Sequence, residues 1–401
     1  MFGDLKGYEL LEMLVDAGRE GLNDEQRAAI GYISVAGMLA PQLNDQHLLA
    51  AAVAMDPAYT SLPIVGVGNA CDSGGLALLD AAKTVRCGDT HVALAIGVEK
   101  MNIKKPGKDG KPPKTDSIKI GQMLGTAAHP DDRFPPFSFP HLFARIMNMY
   151  MERYGISEEQ LAILPPYLYA NAAYNPLAHM RTPRNPITVE SVLSSYRLFQ
   201  KDGETGEGED LPLKLEECSQ ISDGYSRFVV CDEEGLSMLG LTKDDVTVLA
   251  GWGHAVDGLS IASRGDNVLQ PVGAKKAFVE ALRMSKIPPE CIGVLETHDC
   301  FSIMLPLTAE IAGLAEPGQG LPYFVDHMMG IDSDLPTNTS GGLMAKGHPI
   351  SATGLALAGW VHQQILGQVP VELKVSNCEN GISLNIGGPI ASTVCLAQYR
   401  A

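Results

Sequence analysis

The sequence has no run of about 18 consecutive uncharged apolar residues, the length a helix needs to cross a bilayer, so no membrane span is expected. Its start, Met1-Phe2-Gly3-Asp4, lacks the basic stretch and apolar core of a secretory signal. Positive charge is scarce. Against 47 Asp and Glu there are 30 Lys and Arg, a net charge of −17, which argues against general binding to nucleic acid or to an anionic membrane. The eight cysteines are scattered, with no CxxC pair, so free thiols in a reducing compartment are expected and zinc or another metal is not. The closing Tyr399-Arg400-Ala401 is not a peroxisomal tripeptide, which leaves the cytoplasm as the expected location.

What is present is an ordinary globular composition, 45% hydrophobic and 19% charged. At 401 residues the chain is long enough for two or three folding units, or for one large duplicated unit. Glycine (42) and proline (26) are frequent enough to suggest functional loops built from tight turns.

The first hundred residues alternate strand and helix: helical spacing over 9–18, an apolar run Tyr32 to Met38, helical 46–55, strand-like Ile64 to Val67, helical 76–86, then the buried strand Val92 to Gly97. That grammar predicts a parallel α/β sheet. Residues 103–119, with six lysines among prolines and glycines, read as an exposed loop, 141–175 as mostly helical, and 201–210 as a solvated turn. The alternation resumes with strands at 227–231, 246–250 and 292–296, helices near 273–285, 302–313 and 351–366, and strands near 371–376 and 390–397. The small-residue helix after Asn69 to Gly75 and the one after Asn338 to Pro349 suggest one plan used twice.

Four stretches carry candidate chemistry. Cys71 falls between a strand and a helix, where helix-end amides and the dipole favour a thiolate. Glu296-Thr297-His298-Asp299-Cys300-Phe301 ends a strand, the place where α/β sheets bind ligands, although Asp299 could also serve merely as a helix cap. His348, between Gly347 and Pro349, is held in a rigid turn, and a neutral imidazole there can accept a thiol proton. Asn385-Ile386-Gly387-Gly388 offers backbone N–H donors for an oxyanion. The other cysteines, Cys218 among them, read as structural. One nucleophile, one base, a second cysteine, a second histidine and amide donors are the inventory for acyl transfer through a thioester followed by carbon–carbon chemistry.

These stretches, with Gly97-Val98-Glu99-Lys100-Met101, resemble in order and over nearly the whole chain the thiolases, specifically the branch of the sterol carrier protein thiolases. His298-Asp299-Cys300-Phe301 is the most specific element, since other thiolases carry an asparagine-led motif there. The resemblance implies a duplicated five-layered α/β/α/β/α fold. Residues 1–102 with 223–243 would form the first half, 244–401 the second, and 103–222 an inserted loop domain that binds coenzyme A as a substrate. It implies Cys71 as the acyl-accepting nucleophile, His348 as its base, Cys300 as the acid/base at the substrate α-carbon, His298 with His348 as donors to the thioester oxygen, and the amides of Cys71 and Gly387 as the oxyanion hole. No tightly bound cofactor is implied. Acyl-CoA substrates, a homodimer or homotetramer, and a small OB-fold partner are the associations it suggests.

Two departures stand out. The position of the second cysteine in other thiolases is here Asn385, so Cys300 takes over its task. Family members also begin with a strand before the helix that corresponds to 9–18, so an exposed sheet edge is expected. The activity implied is thiolysis of a 3-ketoacyl-CoA, or the reverse Claisen condensation. The alternative is a thiolase-like subunit that holds an acyl-CoA for a partner, and a retro-aldolase reading would expect Cys71 to be absent.

Overall fold

A computed structural model describes residues 2–107, 112–202 and 208–401. The lysines at 108 and 111 and residues 203–207 of the turn expected at 201–210 lie outside the described residues. The architecture is a duplicated, layered α/β fold. Its first sheet comprises β1 (Phe2–Gly3), β2 (Tyr32–Ala36), β3 (Ile64–Val67), β4 (Val92–Glu99) and β5 (Asp223–Cys231), in the order β1-β5-β4-β2-β3. The second comprises β6 (Thr247–Val256), β7 (Leu295–Thr297), β8 (Asn380–Gly387) and β9 (Ser392–Arg400), in the order β6-β9-β8-β7. A parallel bridge from Leu295 to Thr337 continues it. Both sheets therefore run first, last, fourth, second, third, with the last strand antiparallel to its neighbours.

Helix α1 (Leu10–Arg19) covers the outer face of the first sheet and α5 (Val272–Ser285) that of the second. Between the sheets lie α2 (Ser73–Cys87) and α7 (Ile350–Leu366), packed on each other; α7 touches both sheets. This burial on both faces explains why β4, Val-Ala-Leu-Ala-Ile-Gly-Val-Glu, is buried at every position rather than alternating. The intervening segment supplies α3 (Ser138–Tyr154) and α4 (Leu164–Ala172), which pack on the second half around α6 (Met304–Ile311) in one continuous core.

The glycines after Cys71 are explained by the central layer. A Cβ on Gly74 would overlap the Ser351 carbonyl oxygen, and one on Gly354 would overlap the Gly75 amide nitrogen. Helices α2 and α7 thus dock backbone against backbone, which only glycine permits.

Several expectations need correction. Residues 371–376 are not a strand: Val371–Leu373 form one 3-10 turn after Pro370, and the strand is Asn380–Gly387. Residues 103–119 are not wholly loop. Lys104–Lys105 pairs antiparallel with Lys114–Thr115, and Ser117–Gly125 is helical. An edge strand does precede α1, but β1 pairs only Phe2 with Gly224 and Gly3 with Asp223. No helix among the described residues is long and apolar enough to cross a membrane.

Candidate active site

Cys71 sits in the turn from β3 to α2. Ala70 takes φ 50°, a left-handed conformation that costs a residue with a Cβ roughly 1 kcal/mol or more. The turn is cross-braced: Ser73 Oγ accepts from the Asn69 amide at 2.8 Å and donates to the Ala70 carbonyl at 2.6 Å. Asp72 is fully buried and accepts from Ser392 Oγ at 2.7 Å and Asn69 Nδ2 at 3.2 Å. Burial pushes its carboxyl up to about 7.

His298 and Cys300 follow directly on β7. Asp299 is not a helix cap. Its Oδ1 accepts from the Leu343 amide at 2.6 Å, and burial raises its pKa to about 7. Glu296 reaches the same loop, accepting from Ser340 N at 3.0 Å and Ser340 Oγ at 2.5 Å, with the buried Lys346 ammonium 3.6 Å away. These bonds fasten the segment 338–348 onto the end of β7. Positive φ at Gly341, Gly342 and Gly347 lets that segment fold back and present His348. The His348 amide donates to Ser222 Oγ at 3.2 Å, and its Nδ1 lies 2.7 Å from Thr353 Oγ1.

The structure brings the four predicted side chains together. Donor atoms of Cys71, His298 and His348 lie within 4.8 Å of one another, and the two imidazoles meet edge to face with centroids 4.9 Å apart. Cys300 joins them on the wall of one cavity of about 150 Å³, closed on its apolar side by Ile120, Leu124, Phe137, Phe139, Phe143 and Phe301. A larger groove of about 840 Å³, along β5 and the start of β6, contains none of the four.

The electrostatics differ from the helix-dipole expectation. Burial first, then the neighbouring Asp72 charge, pushes the Cys71 thiol up to about 12, although the Gly388 N–H opposes this. Cys300 is likewise driven well above the usual thiol range by burial, with the Cys71 charge adding to it. Burial lowers both histidines: His348 falls to about 3, helped by the nearby Lys346 cation, and His298 falls well below its ordinary value. At neutral pH the site holds neutral thiols beside neutral imidazoles, with no preformed ion pair.

Sequence reasoning missed several neighbours. Gly388, not Gly387, lines the cavity; Gly387 lies against Asp72 and the Asn69 carbonyl, where a Cβ would overlap. Cys218, read as structural, also lines the cavity, because its strand segment bridges Phe301 and the Ser219 amide donates to the Cys300 carbonyl at 2.9 Å. Glu99 is buried and accepts from the Met38, Leu39 and Ser351 amides and from Ser351 Oγ at 2.7 Å, joining β4 to the start of α7. Its burial beside a helix start was not visible from spacing. Asn385 touches both Cys71 and His298.

With this geometry in view, the comparisons with known proteins define the class. Residues 2–234 match the family described as Thiolase, N-terminal domain, and residues 253–397 match Thiolase C-terminal domain-like. The chain belongs to the thiolase superfamily, on its sterol carrier protein 2-type branch. An acetyl-CoA acetyltransferase of Methanothermobacter thermautotrophicus is 31% identical over 390 residues, 96% of this chain and 94% of that protein. Sterol carrier protein 2 of Homo sapiens is 27% identical over 403 residues, 96% of this chain and 67% of that protein. Among solved structures, the Ltp2-ChsH2(DUF35) aldolase superposes with a TM-score of 0.73 at 18% identity, covering 100% of this chain and 95% of that one, a likeness of fold.

Proposed function

We propose that the protein is a CoA-dependent acyltransferase that cleaves a 3-ketoacyl-CoA with a second CoA, or runs the reverse condensation. The observation that carries this reading is the convergence of two thiols and two neutral imidazoles on one small cavity. Residues 1–102 with 223–243 and residues 244–401 are the two halves, and 103–222 holds the CoA over the cavity. The cavity's volume of about 150 Å³ suits a short acyl group.

In thiolysis, His348 takes the Cys71 proton as the sulfur attacks the 3-keto carbon. The backbone N–H groups of Cys71 and Gly388 receive the resulting oxyanion. Collapse of that adduct breaks the C2–C3 bond, and its electron pair becomes the enolate of acetyl-CoA. His298 and the now protonated His348 donate to the enolate oxygen, while Cys300, kept protonated by its raised pKa, delivers a proton to C2. The thiol of the second CoA gives its proton to the Cys300 thiolate as it attacks the acyl-Cys71 thioester, acyl-CoA is released, and the protonated His348 returns its proton to the Cys71 sulfur. Burial raises the thiol and lowers the imidazole, which favours proton transfer together with attack over a preformed ion pair.

Coenzyme A acts as substrate in this reading. The exposed edge strand β3, with Val65 41% exposed, is where a second copy would extend the sheet into a homodimer. A small OB-fold partner is the companion hypothesis, in keeping with the two-component Ltp2-ChsH2(DUF35) aldolase whose fold this chain shares. A cytoplasmic location agrees with the free thiols.

The test is thiolysis of acetoacetyl-CoA and of a long-chain 3-ketoacyl-CoA by the parent protein, Cys71→Ala and Cys300→Ala. Turnover by the parent, an acyl-enzyme trapped in Cys300→Ala and none in Cys71→Ala are expected. Full turnover by Cys71→Ala would end this reading. No turnover of any CoA thioester by the parent would favour a subunit that only holds acyl-CoA for another enzyme.

A further inference from the structure

The residue standing where other thiolases carry their second cysteine makes no thiol chemistry possible, yet it is 2% exposed and at the centre of the site. Both ends of the Asn385 amide are fixed by backbone groups whose polarity is not in question. The Gly75 N–H, which can only donate, lies 3.3 Å from Oδ1. The Cys71 carbonyl, which can only accept, lies 3.2 Å from Nδ2. Oδ1 is therefore the oxygen and Nδ2 the donor. That same Nδ2 lies 3.1 Å from His298 Nδ1. A ring nitrogen facing an N–H must present its lone pair, so the single proton of neutral His298 resides on Nε2.

The environment of His348 has the opposite sense. Thr353 Oγ1 lies 3.0 Å from the Pro349 carbonyl, which takes the hydroxyl proton. Its lone pair then faces His348 Nδ1 at 2.7 Å, so Nδ1 carries the proton and Nε2 is bare. We infer that Asn385 and Thr353 are positioning residues that hold the two active-site imidazoles in opposite tautomers, His298 as an N–H donor and His348 as a proton acceptor. The inference rests on the thiolase reading above and assigns the division of labour within it. It also explains why Cys71, His298 and His348, close enough to hold a thiophilic cation, are not built to do so. A ligating imidazole needs an acceptor for its second N–H, and Asn385 presents a donor.

The experiment has two arms on the full chain. In the first, protein labelled with ¹⁵N-histidine is examined by long-range H–N correlation, with His298 and His348 assigned through His298→Gln and His348→Gln. A proton on Nε2 of His298 and on Nδ1 of His348 is expected; the same tautomer at both would overturn the inference. This arm needs no thiolase turnover, so it stands or falls apart from the proposed function. In the second, Asn385→Asp presents an acceptor to His298 and Thr353→Val, of like shape, withdraws the acceptor from His348. Asn385→Asp should slow exchange of the acetyl-CoA α-protons with solvent by roughly a hundredfold, the usual cost of a lost oxyanion donor, and slow acylation of Cys71 far less. Thr353→Val should show the reverse split. Asn385→Asp should also become sensitive to Zn²⁺ at concentrations the parent tolerates. Equal losses in both half-reactions, with unchanged Zn²⁺ sensitivity, would mean that the two side chains serve packing alone.

Discussion

The two halves share a topology but use equivalent places differently. In the first, the turn from the third strand into the central helix is five residues long, spans 68–72, and presents Cys71 beside the left-handed Ala70. In the second, the equivalent turn runs from Asn338 to Pro349, almost wholly buried and tied to the end of β7 by Glu296, Asp299 and Lys346. Each turn has one left-handed residue with a Cβ, Ala70 at φ 50° and Asn338 at φ 52°, but the first is short and braced from within by Ser73, while the second is long and fastened to a strand end by Glu296 and Asp299. The edges differ too, since β6 pairs along its length with β9 while β1 pairs at two positions with β5. The two halves keep one frame, while their turns differ in length and bracing and present different side chains, Cys71 and His348, to the same cavity.

Four measurements would break or sharpen that comparison. The largest effect concerns the nucleophile turn. With the Cys71 thiol at about 12, its thiolate fraction below that pH grows tenfold per unit, so alkylation by iodoacetamide should rise about a thousandfold from pH 7 to pH 10 without levelling. A plateau near neutrality would show that the turn does stabilise a thiolate, and the contrast with the second half would disappear.

The second measurement is Asp72→Asn followed by denaturant unfolding across pH. The carboxyl is at about 7 folded against 3.8 free, so the folded chain keeps a proton that the unfolded chain has released. This group's contribution is fully present below pH 3.8 and lost as pH rises through 7, a difference of up to about 4 kcal/mol. The variant should therefore gain on the parent from pH 4 to pH 8. A constant difference would show that Asp72 is ionised throughout. His348 contributes the opposite slope: its lowered pKa gives stability present above 6.5 and lost as pH falls toward 3.

Third, Gly354→Ala should destabilise by roughly 1–3 kcal/mol, because its methyl meets the Gly75 amide. Gly359→Ala, on the same helix with nothing within 4 Å, should be neutral or should stabilise by about 1 kcal/mol. Equal behaviour in thermal unfolding would show that the halves are not locked at this seam. The smallest effect is expected for Ala70→Gly, which should raise stability by at most about 1 kcal/mol by relieving the left-handed residue while loosening the nucleophile turn. An unchanged midpoint with unchanged acylation would show that the left-handed Ala70 stores no strain that the short turn uses.

Much of this fold was legible because central strands announce themselves. Ile64–Val67 and Val92–Glu99 are short apolar runs between turn residues, and they form strands. Helix α2 begins at Ser73, earlier than the expected 76, because Gly74 and Gly75 are chosen for contact with α7 rather than for helix propensity. Val371-Glu372-Leu373 alternates as a strand would, yet Pro370 starts a single turn there, while β8 holds Asn380, Gly381, Asn385 and Gly387, poor strand formers retained for neighbours distant in sequence. The motif residues of the site could be read because they fall at strand ends. The Cys71 ionisation, the contacts of Asn385 and the place of Cys218 could not, since burial and partners distant in sequence decide them.

The glycine seam between α2 and α7 has a mechanical consequence. The helix that follows Cys71 and the helix that follows His348 touch main chain to main chain, so neither can slide or hinge without unseating the other. The floor of the cavity is therefore a fixed anvil, and any adjustment to what enters falls to its apolar wall, Phe137 and Phe139 included, rather than to a closing of the two halves.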